Sequence, residues 1–195
     1  MNIGDLELIR RSKEGDLDAF NEIVARYQGR VFNTAARILG SASYADDATQ
    51  ETFISAYRAI GKFRGVNLAP WLLRIAKNQC YDMIRAMRRR PADSLEENLT
   101  NPAVVRVQVG GSPEEEALRG ELAAEIQRAI LSLPEEQRLV VTLIDVQGFS
   151  YAEAADIARA STGTVKSRLS RGRARVRDHL RELGELLPPE FRQSL

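Results

Sequence analysis

The stretch Ser150–Arg173, SYAEAADIARASTGTVKSRLSRGR, reads as two short helices joined by a tight turn, the second loaded with cations. Ser150 is placed to cap the first helix, and Glu153, three residues on, completes a capping box. Ala154, Ala155, Ile157 and Ala158 give that helix a small apolar face against which a second helix can lie close. Arg159-Ala160-Ser161 is the expected turn, and Ser161 or Thr162 caps the second helix. Val165 and Leu169 are four apart and point inward, which leaves Lys166, Ser167, Ser170, Arg171 and Arg173 facing out. Short hydroxyls and long cations on one exposed helix face suit the DNA major groove. Arg and Lys read guanine edges there, Ser and Thr read either base, and spare cations hold phosphates. In such a helix-turn-helix the first helix crosses the backbone and the second enters the groove. The plainer alternative is a solvated basic helix on an ordinary bundle. The turn together with the inward Val165/Leu169 pair favours DNA.

Charge patterning extends this reading to the rest of the chain. Lys and Arg number 28 against 27 Asp and Glu, so whole-chain charge says nothing about a polyanionic partner. The distribution does. Arg64, Arg74, Lys77, Arg85, Arg88, Arg89 and Arg90 are opposed only by Asp82, and Lys166 to Arg181 forms a second basic block opposed only by Asp178. Between them Asp93, Glu96, Glu97, Glu114, Glu115, Glu116, Glu121 and Glu125 face only Arg106 and Arg119. Two basic blocks across an acidic bridge imply two nucleic-acid contacts.

Helical periods run through both halves. Asp5 to Lys13 is a short amphipathic helix with Leu6 and Ile9 inward, and Leu8 as a further candidate. Asp16 caps a helix over Leu17–Leu39, whose Phe20, Val24, Tyr27, Val31, Ala35 and Ile38 keep three- and four-residue steps, and Gly40 closes it. Ser43 to Asp46 starts a helix running to Phe63, with Asp46, Asp47, Gln50 and Glu51 as an exposed polar front. Acids at a helix N-terminus are explained by the helix dipole for Asp46 and Asp47, and less well for Gln50 and Glu51.

After a loop, Trp71 to Met87 is the next helix, with Pro70 in its first turn. Leu72, Leu73, Ala76, Cys80 and Ile84 belong to its core side. Arg74, Lys77, Asn78, Tyr81 and Arg85 mix cations, an amide and an aromatic ring on the other. That mixture suits single-stranded nucleic acid.

Arg88 to Ser112 reads as a linker broken by Pro91, Pro102 and Gly110-Gly111, with Val104–Val109 irregular for want of a partner strand. Ser112 and Pro113 then start a helix to Leu133 with Leu118, Leu122, Ile126 and Ala129-Ile130 inward. Glu135 to Gln147 is helical, and the last helix frays near Leu187.

No catalytic constellation, phosphate loop or cofactor signature is present, so no enzyme and no cofactor is expected. One Cys and one His cannot build an ordinary zinc site. A lone cysteine, no signal-length apolar stretch and no membrane-length segment point to a cytoplasmic protein.

DDATQETFISAYRAIGKFRG followed by WLLRIAKNQCYDMIR and Arg88-Arg89-Arg90-Pro91 resembles region 2 of bacterial extracytoplasmic-function (ECF) sigma factors, and Leu133 to Arg177 resembles their region 4. The resemblance implies an all-α chain of two small helical domains: region 2 over 1–91, a linker over 92–112, and a helix-turn-helix region 4 over 113–195. It implies a subunit that directs core RNA polymerase to promoters and helps to open the DNA.

Residue by residue, it implies that Asp46, Asp47, Gln50, Glu51 and Phe53 dock on the β′ coiled coil. Phe63, Arg64, Asn67, Trp71, Arg74, Lys77, Asn78 and Arg85 would lie at or near the −10 element. Thr164, Lys166, Ser167, Ser170 and Arg171 would read the −35 element, with Arg168 and Arg173 on phosphates or packing. The β flap and an anti-sigma factor are further implied partners. In this sequence Arg159 stands where the family's turn carries glycine, and Ala69-Pro70 stands where it has a polar or basic pair.

Extended, Pro91 to Ser112 reaches roughly 75 Å. That is about 20 base pairs, enough for both domains to bind one promoter. The competing classes are a dimeric helix-turn-helix regulator, for which no dimerisation heptad is present, and a helical scaffold, which leaves both basic blocks unexplained.

Overall fold

The computed structural model describes residues 3–65, 67–89 and 113–182; the side chains of Ile3 and of residues 113–119 lie outside the description. The elements are α1 (Ile3–Lys13), α2 (Leu17–Leu39), α3 (Ala42–Ala59), α4 (Leu68–Arg89), α5 (Pro113–Ser132), α6 (Glu135–Val141), α7 (Tyr151–Ala158) and α8 (Thr162–Glu182). A 3-10 turn at Ile60–Lys62 follows α3, and a π-helical turn at Thr142–Val146 continues α6. The described residues contain no strand. The linker with its Val104–Val109 stretch, the Ser112 cap, the Leu118 side chain and the end of the chain lie outside the described residues.

Helix α2 carries the N-terminal domain, and its limits are set by a side chain at one end and by backbone conformation at the other. The Asp16 carboxylate accepts from the Ala19 N–H at 3.0 Å, and Gly40, at φ 74°, takes the left-handed conformation that ends the helix. Ile23, Val31, Ala35 and Ile38 recur at helical steps and are buried against α1, α3 and α4.

Helix α1 turns differently from the expectation, because Leu8 and Ile9 are buried while Leu6 is 39% exposed. Asp5 fixes that rotation: its carboxylate accepts from Arg26 at 2.5 Å and from the Tyr27 hydroxyl at 2.6 Å. Helix α3 is capped two residues before the expected Ser43, since Ser41 is the cap and accepts from the Tyr44 N–H at 3.4 Å.

Helix α4 starts at Leu68, where the Asn67 side chain accepts from the Ala69 N–H at 3.2 Å. Pro70 lies in the first turn, where it has no helical N–H to lose. Ala69 and Pro70 are both buried.

In the C-terminal domain α8 packs on α6 at Gly172. A Cβ there would sit 2.7 Å from a Val141 methyl, so only glycine allows this approach. The two domains meet along a seam. Arg30 donates to the Gln147 carbonyl at 2.8 Å and lies over the Phe149 ring at 4.5 Å. Arg37 donates to Gln127 at 3.0 Å, and Arg138 donates to the carbonyls of Ile38, Leu131 and Leu133. Gly40 abuts Leu131, and α4 packs directly on α7.

Candidate nucleic-acid interface

The turn between α7 and α8 is held from both sides. The Ser150 Oγ accepts from the Glu153 N–H at 3.3 Å, and the Glu153 carboxylate accepts from the Ser150 N–H at 3.0 Å, completing the capping box. Arg159 follows at φ 53°, ψ 50°, the one left-handed non-glycine residue among those described. The turn thus keeps the glycine-type shape and strains an arginine to do so. Ser161 caps α8 by accepting from the Thr164 N–H at 3.1 Å.

Val165 and Leu169 are buried under α8. Lys166, Ser167, Ser170 and Arg171 stand exposed on one side, with Thr164 half-buried beside them. The Lys166 ammonium sits 5.7 Å from the Tyr151 ring, and Arg171 donates to the Ser167 carbonyl at 3.2 Å. Arg168 and Arg173 are engaged from behind. Arg168 pairs with Glu136 at 2.5 Å, with only 19% of its side chain exposed, and Arg173 grips both carboxylate oxygens of Asp145. These two hold α8 against its own domain, whereas the four exposed residues are available to a ligand.

The second basic face is on α4 and in the loop before it. Arg64, Asn67, Asn78 and Arg85 are exposed, with Arg85 paired to Asp82. Phe63 is 7% exposed and its ring centroid lies 4.7 Å from that of half-buried Trp71. Gly65 fits over Phe63, where a Cβ would come within 2.8 Å of the ring. Arg74 pairs with Asp156 of α7 at 3.2 Å, and Lys77 is 9% exposed beside it. Burial first, then the charges of Arg159 and Arg74, hold the Lys77 pKa below the ordinary lysine value. The predicted face is therefore split: Arg64, Asn67, Asn78 and Arg85 are open, and Arg74 and Lys77 lie beneath the other domain.

On α3, Asp46, Asp47, Gln50 and Glu51 are exposed together. Phe53 is not part of that front. It is 7% exposed, on the same side as Ala48, Thr52 and Ala56, while Ile54 stands 42% exposed beside the acids. Successive steps of three or four residues run from Asp47 to Glu51, then to Ile54 and then to Arg58, a signal that the larger apolar neighbour Phe53 obscured.

A groove of about 450 Å³ runs between α5, the π-helical turn and α8, lined by Ile126, Ile130, Val146, Val176 and Leu180 with Arg177 at its edge. No described helix is long and apolar enough to cross a membrane. Among the described residues no three His, Cys, Asp or Glu side chains gather as metal ligands.

Comparison with known proteins matches these two domains to two family models. Residues 23–90 match Sigma-70 region 2 and residues 123–176 match Sigma-70, region 4. The chain is 36% identical to the RNA polymerase sigma-H factor of Pseudomonas aeruginosa over 92% of this chain and 95% of that one. It is 37% identical to the ECF RNA polymerase sigma-E factor of Haemophilus influenzae over 92% and 96% of the two chains. A solved structure of the sigma factor RpoE in complex with the anti-sigma factor NepR from Bartonella quintana superposes with a TM-score of 0.68 at 27% identity, covering 83% of this chain and 96% of that one. With both regions matched in order and relatives of 36–37% identity covering nearly the whole chain, the chain belongs to the ECF group of sigma-70 family sigma factors.

Proposed function

We propose that this sigma factor binds core RNA polymerase, reads the −35 element with α8 and the −10 element with α4 and its preceding loop, and promotes opening of the DNA. The observation that carries the reading is one chain presenting two cationic helices, α4 and α8, on two separately matched sigma domains. Region 2 takes residues 1–91 and region 4 takes 113–195, joined by 92–112.

In this reading Thr164, Lys166, Ser167, Ser170 and Arg171 face base edges and phosphates. Arg168 and Arg173 position the helix through Glu136 and Asp145. Arg64, Asn67, Asn78 and Arg85 form the open part of the −10 surface, with the Phe63–Trp71 pair as its aromatic floor. Asp46, Asp47, Gln50, Glu51 and Ile54 meet the β′ coiled coil, and the apolar groove of region 4 takes the β flap. The protein acts as an initiation factor and leaves catalysis to the polymerase. An anti-sigma factor controls it, a reading supported by its likeness to a sigma factor solved with one.

Transcription from a promoter library by purified core polymerase, with and without the protein, tests this. Specific start sites are expected only in its presence. Failure to initiate or to co-elute with core, with duplex binding retained, would replace it with a stand-alone regulator.

A further inference from the structure

The apolar groove of the C-terminal domain lies at the end of the helix that forms one of its walls. Ile126, Val176 and Leu180 line it and are only half-buried, and Val146 is 39% exposed. Apolar surface gathered this way faces water at a cost that an occupant removes. Leu180 stands two residues before the end of α8 at Glu182, and the chain continues from there as LGELLPPEFRQSL, residues 183–195.

We propose that residues 183–195 turn back at Gly184 and seat Leu186, Leu187 and Phe191 in this groove, so that the free chain covers it with its own tail. The docking rests on the groove alone. Its consequence for the polymerase rests on the proposed role of the groove as the β-flap site.

Reach, pattern and charge support the tail as occupant. The part of α8 that borders the groove begins at Arg173, about 14 Å from Glu182 along the helix axis. Thirteen extended residues span roughly 43 Å, enough to double back over that length. Gly184 comes two residues after Glu182, where a glycine commonly ends a helix in the left-handed conformation. Pro188 and Pro189 oppose any helix carried straight on. The rim of the groove carries Arg177, whose recorded ion pair is a loose one to its neighbour Asp178 at 3.9 Å. The tail brings Glu185 and Glu190 beside its apolar residues, so its charge complements that rim.

Tethering makes a weak contact sufficient. A segment attached this close to its site meets it at an effective concentration of roughly millimolar, so a contact too weak to hold a free peptide still fills the groove. A polymerase element bound for the same groove must displace the tail, and its apparent affinity falls by the fraction of chains already occupied.

The test uses the full chain with a spin label at Gln193→Cys; the native Cys80 is buried. Broadening of the methyl signals of Ile130, Val146 and Val176 is read by NMR, with Ile23 in the core of the other domain as the reference. The same label is then read in a Leu186→Asp/Leu187→Asp variant, whose tail has the same length and tether. Wild type is expected to broaden the groove signals, and the variant to lose most of that effect. Circular dichroism confirms that both are folded. The unlabelled variant should also bind core RNA polymerase at least about twofold more tightly than wild type, as expected when half or more of the chains are occupied.

Equal broadening in wild type and variant overturns the docking, because a tail that is merely tethered gives the same effect in both. Groove signals that shift with protein concentration, and not with the tail substitutions, assign the groove to a second copy of the chain and overturn it too. If the tail docks but core affinity is the same in both, the docking stands and the β-flap reading of the groove falls.

Discussion

Arg138 on α6 donates to the carbonyl of Ile38, in the last turn of α2, at 2.6 Å. The same guanidinium reaches the Leu131 and Leu133 carbonyls at the end of α5. One cation thus satisfies the carboxyl ends of two helices from two domains, where the helix dipoles favour positive charge. Arg138→Ala leaves part-buried carbonyls unpaired and is expected to cost about 2–4 kcal/mol. Lys, with a single point charge, should recover only part of that loss. Urea unfolding of both variants against wild type measures it.

Neighbours on α3 should part in behaviour. Phe53→Ala empties a core position and is expected to cost about 3–5 kcal/mol of stability. Ile54→Ser, on the exposed front, should change stability by no more than about 0.5 kcal/mol. It should nonetheless weaken core polymerase binding by at least about fivefold, as a central apolar contact does. Thermal melts and a pull-down titration with core polymerase, run on both variants, decide whether the front is a docking surface.

The left-handed Arg159 stores strain that glycine would not. Arg159→Gly is expected to stabilise the domain by up to about 1 kcal/mol, after glycine's own entropy is counted. A domain of this size should then melt up to about 4–8 °C higher. Duplex affinity should stay within about twofold, since α8 keeps its cap on Ser161. A lower melting temperature would show that the Arg159 side chain contributes more than its backbone costs.

Gly172 admits no side chain at the α6 contact. Gly172→Ala pushes a methyl onto Val141, itself 4% exposed and hemmed in. A loss of about 1–3 kcal/mol is expected, with a matching fall in −35 duplex binding as α8 shifts. Paired melts and fluorescence anisotropy would show both.

Burial pushes the Cys80 thiol up to about 12. Because its folded pKa lies above the unfolded value near 9, its contribution is fully present below about pH 9 and is lost as pH rises towards 12. Stability should therefore fall through that window, and Cys80→Ala should flatten the fall at the cost of some packing. The thiol should react with Ellman's reagent at neutral pH only on unfolding.

Much of the fold could be read from the chain because local signals agreed with one another. The bounds of α2 follow from Asp16, an unbroken apolar period and Gly40. The α7 turn follows from Ser150, Glu153 and Ser161. Where two signals competed, the sequence could not choose. Phe53 and Ile54 are both apolar, and only packing against α2 and α4 separates them. The seam left no trace at all. Arg74 and Lys77 look like ordinary outward cations until α7, some eighty residues on, is seen to lie over them. Contacts between domains depend on shape built at a distance, which periodicity along one helix does not encode.

Helix α8 runs unbroken from Thr162 to Glu182, a rod of roughly 32 Å. Its first half carries the proposed base-reading residues, and its second half supplies Val176 and Leu180 to the groove. Promoter and polymerase would thus grip opposite ends of one stiff lever with no hinge between them. Region 4 then works as a gauge of fixed length. Any mismatch in the spacing between −35 and −10 elements must be absorbed by the DNA or by the chain joining the two domains, because this rod has no give to offer.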